Sequence, residues 1–287
     1  MSRSVVTRAY AKVNLTLEVR SRRADGYHEL ASVFATVDLA DTVRVAAGPT
    51  LDVRIVPDVG APPGDDLASR AVRAFAVASG REPRALVRIT KRIPVAAGLG
   101  GGSSDAAAVL RALAQIWRVP LPTSGVEASI GSDVPFFASG GPFAYVTGRG
   151  EHVRPLPPPD VPLWIALVFP PVRLETARVF AGFDRSDTGD GSPSARLMRA
   201  FTDGTVTPAL LRECARNDLE RSAERACAWI ADARASARAR GVTLQLSGSG
   251  PSLFAIADDR AHALRLVRAL GRAGLRSRAL TLGARDT

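Results

Sequence analysis

The chain has 287 residues, 46% of them hydrophobic, enough for one large domain or two modest ones with a real core. Its formal charge of +10 is scattered, as in "RSRRADGYHE" and "RECARNDLERSAER", and without a block of like charges it argues against nucleic-acid binding and for a diffuse solvated surface, whose field would also welcome an anionic substrate. There is no apolar run of membrane-spanning length and no apolar signal segment, and Cys214 and Cys227 form neither a CxxC nor a metal spacing, so a soluble cytoplasmic protein is expected.

"AYAKVNLTLEVR" alternates with period two. A strand is expected, with Ala11, Val13, Leu15, Leu17 and Val19 on one face and Tyr10, Lys12, Asn14, Thr16 and Glu18 on the other. "ADGYHEL" reads as a turn, "VRVAAG" and "TLDVRIV" as strands, and "GAPPGDD" as a loop. "DLASRAVRAFAVASG" has helical period, and "RALVRITKRIP" is a strand that runs into glycines at 98, 100, 101 and 102. Ser103 and Ser104 are expected to cap the helix that follows, with Asp105 in its first turn. Val109, Leu110, Leu113, Ile116 and Trp117 give that helix an apolar stripe, and Trp117 reads as core.

"GSDVPFF" closes a short segment, and "PFAYVTGRGEHVRPL" reads as a hairpin. The prolines of "RPLPPPDVP" stiffen the chain and mark the expected domain boundary, 1–155 against 156–287. Beyond it come a buried strand ("LWIALVFP"), a polar surface loop ("DRSDTGDGSPS"), one or two helices over 207–241, a strand–glycine turn–strand ("VTLQLSGSGPSLFAIAD"), a helix and a last strand. Strands and helices mix without βαβ alternation, which is an α+β pattern.

A strand, then glycines, then a helix start is an arrangement that binds phosphate. Glycines let backbone N–H groups approach an anion, and the helix adds free donors and the positive end of its dipole. Two common versions do not fit. A P-loop would end in Gly-Lys-Ser/Thr, and this loop holds no lysine. A dinucleotide fingerprint would place glycine at Ser103 and an acid near Trp117.

"PVAAGLGGGSSDAA" resembles the second signature of the GHMP kinases, the superfamily of galactokinase, homoserine kinase, mevalonate kinase and phosphomevalonate kinase, and "LQLSGSGPSLFAI" resembles their C-terminal glycine motif. "AKVNLTLEV", "DGYHEL", "GSDVPFF" and "NDLE" at 217–220 narrow the resemblance to the branch whose acceptor carries a cytidine diphosphate group. The resemblance implies a two-domain α+β fold with a ribosomal-protein-like N-terminal domain that holds ATP and a ferredoxin-like C-terminal domain. It implies transfer of the ATP γ-phosphate to an alcohol hydroxyl, with ATP as co-substrate and Mg²⁺ beside it. Another GHMP kinase, of homoserine or mevalonate type, is the alternative enzyme; a nucleic-acid-binding module is the alternative class.

Residue by residue, the resemblance assigns Asp133 as the base and Lys12 as its partner. An aspartate in a turn more often caps the next segment. Lys12 stands out because lysine occurs only at 12 and 91 in a chain that otherwise uses arginine, and a lysine offers a compact charge to an aspartate. Asn14 shares the polar face of Lys12 and would orient the acceptor. Pro94, Val95, Ala96, Ala97, Gly98, Leu99, Gly100, Gly101, Gly102, Ser103 and Ser104 would hold the ATP phosphates. Tyr27 and Phe180 would stack on cytosine, His28 would read its edge, and Thr176 would hydrogen-bond from the other domain. Ser104 or Asp105 would lie nearest Mg²⁺, whose protein ligands stay unassigned because Mg²⁺ leans on waters and phosphates. Asp66 and Asp105 stand where asparagines are usual in the family, and the segment between Trp117 and Gly131 is expected to hold only a short helix.

Overall fold

The computed structural model describes residues 4–22, 26, 28–60, 62, 64–121 and 125–285. Two strands of 19 residues, β1 (Ser4–Arg22) and β2 (His28–Ala46), pair antiparallel along their whole length. β2 starts well before "VRVAAG", where the sequence pattern placed it. Residues 31–37 are buried on both faces, so the strand carries no period-two signal to read.

β2 takes different neighbours at its two ends. Thr42–Ala46 pair with β4 (Ala85–Thr90), which lies parallel to β3 (Leu51–Val56). Leu30–Ala35 pair with β5 (Phe143–Gly148), the first arm of a hairpin completed by β6 (His152–Leu156). With β8 (Arg216–Asn217) parallel to β1, the sheet has seven strands. Helices α1 (Leu67–Ala78) and α2 (Gly101–Trp117) pack on it, bringing Phe75, Leu110 and Leu113 against Val43, Val87 and Ile89. Trp117 stacks on Phe75 at 5.3 Å, the core role expected of it. The short helices α3 (Val126–Ile130) and α4 (Val134–Ala138) follow.

The second half builds a four-stranded sheet from β7 (Trp164–Val168), β9 (Gln245–Leu246), β10 (Leu253–Ala257) and β11 (Ser277–Thr281), in the order β11-β7-β10-β9. Its helices are α5 (Thr176–Ala181), α6 (Ser192–Thr202), α7 (Pro208–Cys214), α8 (Glu220–Ala226), α9 (Ala228–Arg238) and α10 (Arg260–Arg272). The stretch expected to form one or two helices forms three, α7 to α9. It is interrupted where Asn217 leaves the helix to bond the carbonyls of Leu246 and Gly248, at 2.9 and 2.8 Å.

The two halves share a core. Ala11, Val13 and Leu15 of β1 pack with Ile165 and Leu167 of β7 and with Phe201 and Phe254. The polar face of β1 is buried as well: Lys12, Asn14, Thr16 and Glu18 are all under 5% exposed. Its lower half anchors the second half of the chain. Glu18 accepts from the backbone N–H of Gly191 and Ser194 at 2.8 and 2.9 Å, and Asp218 accepts from those of Val19 and Gly189. "DRSDTGDGSPS" is therefore a surface loop only in part. Its end satisfies the free donors at the start of α6 with a buried carboxylate, leaving Ser194 fully buried.

Candidate active site

The upper half of that polar row opens into a cleft of about 1240 Å³ between the two halves. Lys12 lies at its floor. Its Nζ donates to Asn14 Oδ1 at 2.7 Å, sits 3.4 Å from Asp133 Oδ2 and lies 4.5 Å from the centre of the Phe34 ring. Asn14 Nδ2 donates in turn to Ser32 Oγ at 3.0 Å, which fixes the amide. Asp133 precedes α4 at the capping position, yet its side chain makes no capping hydrogen bond. It faces Lys12 and remains 28% exposed to the cleft.

The glycine loop runs along one wall. Pro94 to Gly98 and Gly100 to Ser103 line the cleft, whereas Leu99 and Ser104 are buried beneath it. The helix start differs from the serine cap expected. Gly100, in the left-handed region at φ 69°, occupies the cap, so Ser103 and Ser104 lie inside the first turn and Asp105 in the second. Capping with backbone alone leaves the first N–H groups of α2 open to the cleft. The strand edge supports the loop: the N–H of Lys12 donates to the Leu99 carbonyl at 2.9 Å.

The second glycine motif closes on the first. Ser247 Oγ donates to the Gly98 carbonyl at 3.1 Å, and the N–H of Ser252 donates to the Ala97 carbonyl at 3.2 Å. Gly248 adjoins Asn14 and Lys12, and Thr176 Oγ1 meets Ser249 Oγ at 2.9 Å. At the far end of the cleft, His28 stacks on Phe180 at 5.4 Å and 26°, and Phe183 meets its edge at 5.7 Å and 77°. Two residues 152 positions apart in the sequence thus form one aromatic group. Tyr27 lies outside the described residues. His152 is exposed, and His262 pairs with Asp258 away from the cleft. Asp66 lines the cleft and caps α1 by accepting from the Ser69 N–H at 2.8 Å.

Residues 66–141 match the family described as GHMP kinases N terminal domain, and residues 197–276 match GHMP kinases C terminal. The 4-diphosphocytidyl-2-C-methyl-D-erythritol kinase of Gloeobacter violaceus is 38% identical over 91% of this chain and 88% of its own. That of Thermus thermophilus is 38% identical over 97% and 96%. The chain belongs to the 4-diphosphocytidyl-2-C-methyl-D-erythritol kinase family. A crystal structure of 4-(cytidine 5'-diphospho)-2C-methyl-D-erythritol kinase superposes with a TM-score of 0.78 at 36% identity, over 98% of this chain and all of that one. A homoserine kinase from Cytophaga hutchinsonii shares the fold at 18% identity, with a TM-score of 0.72. The two-domain α+β GHMP kinase fold expected from the motifs is the fold observed.

The cleft of this family member also holds a cluster that the motifs did not flag. Lys91 Nζ donates to Asp41 and Asp105 at 2.5 and 2.6 Å, with all three side chains nearly inaccessible. Asp41 accepts as well from the N–H of Ile93 at 2.9 Å, which fixes the start of the glycine loop. A signal was present, since Lys91 is the chain's second lysine. Burial pushes the Asp105 carboxyl up to about 7; Lys91 lowers it and the Asp41 charge raises it further. Burial opposes the charge on Lys91, but the two carboxylates hold its pKa above the ordinary lysine value.

Because the unfolded carboxyl titrates near 3.8, the folded chain keeps a proton on Asp105 that the unfolded chain has lost. Its contribution to stability therefore falls as pH rises from 3.8 to about 7. Asp105→Asn removes that linkage and leaves Lys91 paired with Asp41. The variant's melting temperature relative to wild type should rise between roughly pH 4 and pH 7. Parallel melting curves across that range would contradict the assignment.

Proposed function

We propose that this chain transfers the γ-phosphoryl group of ATP to the 2-hydroxyl of 4-diphosphocytidyl-2-C-methyl-D-erythritol, a step of the non-mevalonate route to isoprenoids. The observation that carries the reading is the Lys12–Asp133 pair, set between the glycine loop and the His28–Phe180 stack. Phosphoryl transfer asks a protein mainly for position and charge. The acceptor hydroxyl, held beside Asn14, gives its proton to Asp133 as its oxygen bonds to the γ-phosphorus. The bond from phosphorus to the β,γ-bridging oxygen breaks, and ADP leaves. Lys12 balances charge on both sides of this transfer.

The free N–H groups at the start of α2 and the glycines before it take the ATP phosphates. Mg²⁺ would neutralise phosphate charge and arrive on the nucleotide. Of the two protein groups expected nearest it, the Asp105 carboxyl is engaged by Lys91 and Ser104 is buried, while the Ser103 hydroxyl lines the cleft there. We divide the chain at its prolines into an ATP-binding domain, 1–155, and a C-terminal domain, 156–287. We assign the +10 charge to attraction of two anionic ligands, and the free thiols of Cys214 and Cys227 to a reducing cytoplasm.

A coupled assay of ADP release with 4-diphosphocytidyl-2-C-methyl-D-erythritol tests the reading. Turnover of homoserine or mevalonate in its place would point to the alternative enzyme. Phe180→Ala tests the cytosine site. Stacking on a base is worth about 1–3 kcal/mol, so acceptor affinity should fall roughly 5- to 150-fold. ATP affinity should hold, because the phosphate loop is a separate wall. Phe180 is half-buried and lines the cleft, so a loss of stability together with both affinities would return it to the core.

A further inference from the structure

The two lysines of the chain are both buried, but they are balanced differently. Lys91 is wedged between two carboxylates, Asp41 and Asp105. Lys12 has one, Asp133 Oδ2 at 3.4 Å, and donates to the Asn14 amide oxygen at 2.7 Å. Its other neighbour is a ring rather than a second acid: Nζ stands over Phe34, 4.5 Å from the ring centre.

The sheet puts the ring there. Asn14 of β1 lies opposite Phe34 of β2, and Lys12 lies opposite Thr36, so Lys12 and Phe34 are diagonal neighbours on one face, within reach of a long side chain. Phe34 is fixed from its other sides as well. It pairs with Ala144 of β5, and its ring meets that of Phe136 edge to face at 5.2 Å and 71°. Phe136 belongs to α4, the helix that starts directly after Asp133. One buried ring therefore bears both on the ammonium and on the helix behind the base.

An aromatic face attracts a cation through its quadrupole, most strongly where water is excluded, and it carries no net charge. That difference matters beside a phosphoryl group. A second carboxylate at Lys12 would also stabilise the ammonium, but it would repel the γ-phosphate. The ring matters more as transfer proceeds. When Asp133 takes the hydroxyl proton its carboxylate is neutralised, and Lys12 is left with Asn14 and Phe34. A contact whose share grows on the way to the transition state acts on turnover more than on binding.

We propose that Phe34 is a positioning residue, whose ring face holds the Lys12 ammonium between Asn14 and Asp133 without adding negative charge to the cleft. The inference rests on the kinase reading and deepens it. Replacing Phe34 by 4-fluoro-, 3,5-difluoro- and 3,4,5-trifluorophenylalanine keeps the ring and drains its face of negative potential in steps. In the coupled ADP-release assay kcat should fall in the same steps, by roughly 2- to 30-fold at the last, the range such a contact supports. ATP affinity and melting temperature should stay near wild type along the series. Phe34→Leu removes the face altogether and should lower kcat at least as far, with some melting temperature lost because the residue is buried. A kcat that ignores the series, or falls only with melting temperature, makes Phe34 plain core and overturns the proposal.

A second readout needs no substrate. Lysine occurs only at 12 and 91, so a chain labelled with nitrogen-15 on its lysine side chains gives two ammonium signals in magnetic resonance. Protons over a ring face are shielded. Phe34→Leu should move the Lys12 signal downfield and leave that of Lys91 in place as an internal reference. If the Lys12 signal stays, or both move together, the ring does not hold the ammonium and the proposal fails. If the wild-type chain does not use the cytidine acceptor at all, the substrate reading fails on its own, and the ammonium signal still decides Phe34.

Discussion

Asp133→Asn lowers kcat by about 10²–10⁴, the span that a positioned base supplies, while ATP and the acceptor still bind. The geometry explains why the loss falls on turnover. The asparagine keeps the shape of the side chain, and its amide oxygen can still accept from Lys12 Nζ, which lies 3.4 Å from the carboxylate in the native cleft. What disappears is the ability to take the hydroxyl proton. A purely structural aspartate would behave differently. The Lys12 side chain is buried, and removing its charged neighbour would then show chiefly as lost stability, because a buried ammonium would be left poorly balanced. Steady-state turnover, calorimetric affinities and melting temperature on one variant separate the two. Turnover within an order of magnitude of wild type, or a loss explained by unfolding, removes Asp133 from the chemistry.

The alternation of β1 was legible because one face had to be apolar against the shared core. Its other face could not be read as buried, since Glu18 and Thr16 look like surface residues until Ser194 and Gly191 arrive from far along the chain. The Lys12–Asp133 pair came from motif resemblance, and no spacing in the sequence brings positions 12 and 133 together. The long β2 hid because both of its faces are covered. The cap of α2 was misplaced for a local reason. Serines before a helix usually accept from its first N–H groups, but here Gly100 turns the chain left-handed one residue before the helix begins. The glycine run reads in sequence as one feature, yet Gly98 and Gly100 alone of its four members have positive φ. Gly101 and Gly102 are helical; a Cβ at Gly101 would press on Ile93 at 2.9 Å, whereas one at Gly102 would meet only Leu67.

Gly98→Ala separates those two meanings of glycine and should be among the most damaging single-methyl changes in the chain. Gly98 sits at φ +74°, and an added Cβ would lie 2.2 Å from the Ser247 carbonyl oxygen and 2.9 Å from Gly250 N and O. All three are backbone atoms, so no side chain can swing away. The left-handed conformation alone costs an alanine about 1–2 kcal/mol. Overpacking adds about 1–3 kcal/mol. The cheapest relief is to part the two glycine loops, which breaks the bonds from Ser247 Oγ to Gly98 O and from Ser252 N to Ala97 O. That movement displaces the first glycine loop on one side and Gly248, beside Lys12 and Asn14, on the other. ATP and acceptor affinities should therefore fall together, along with the melting temperature. Gly102→Ala is the matched control, since its Cβ would meet only Leu67 Cδ1, at an ordinary 3.4 Å, and its backbone is helical. Alanine favours a helix over glycine by roughly 1 kcal/mol, so that variant should melt no lower than wild type. If Gly98→Ala melts like Gly102→Ala and binds both ligands normally, the two loops do not depend on each other, and the cleft is not held by the contact between its glycine motifs.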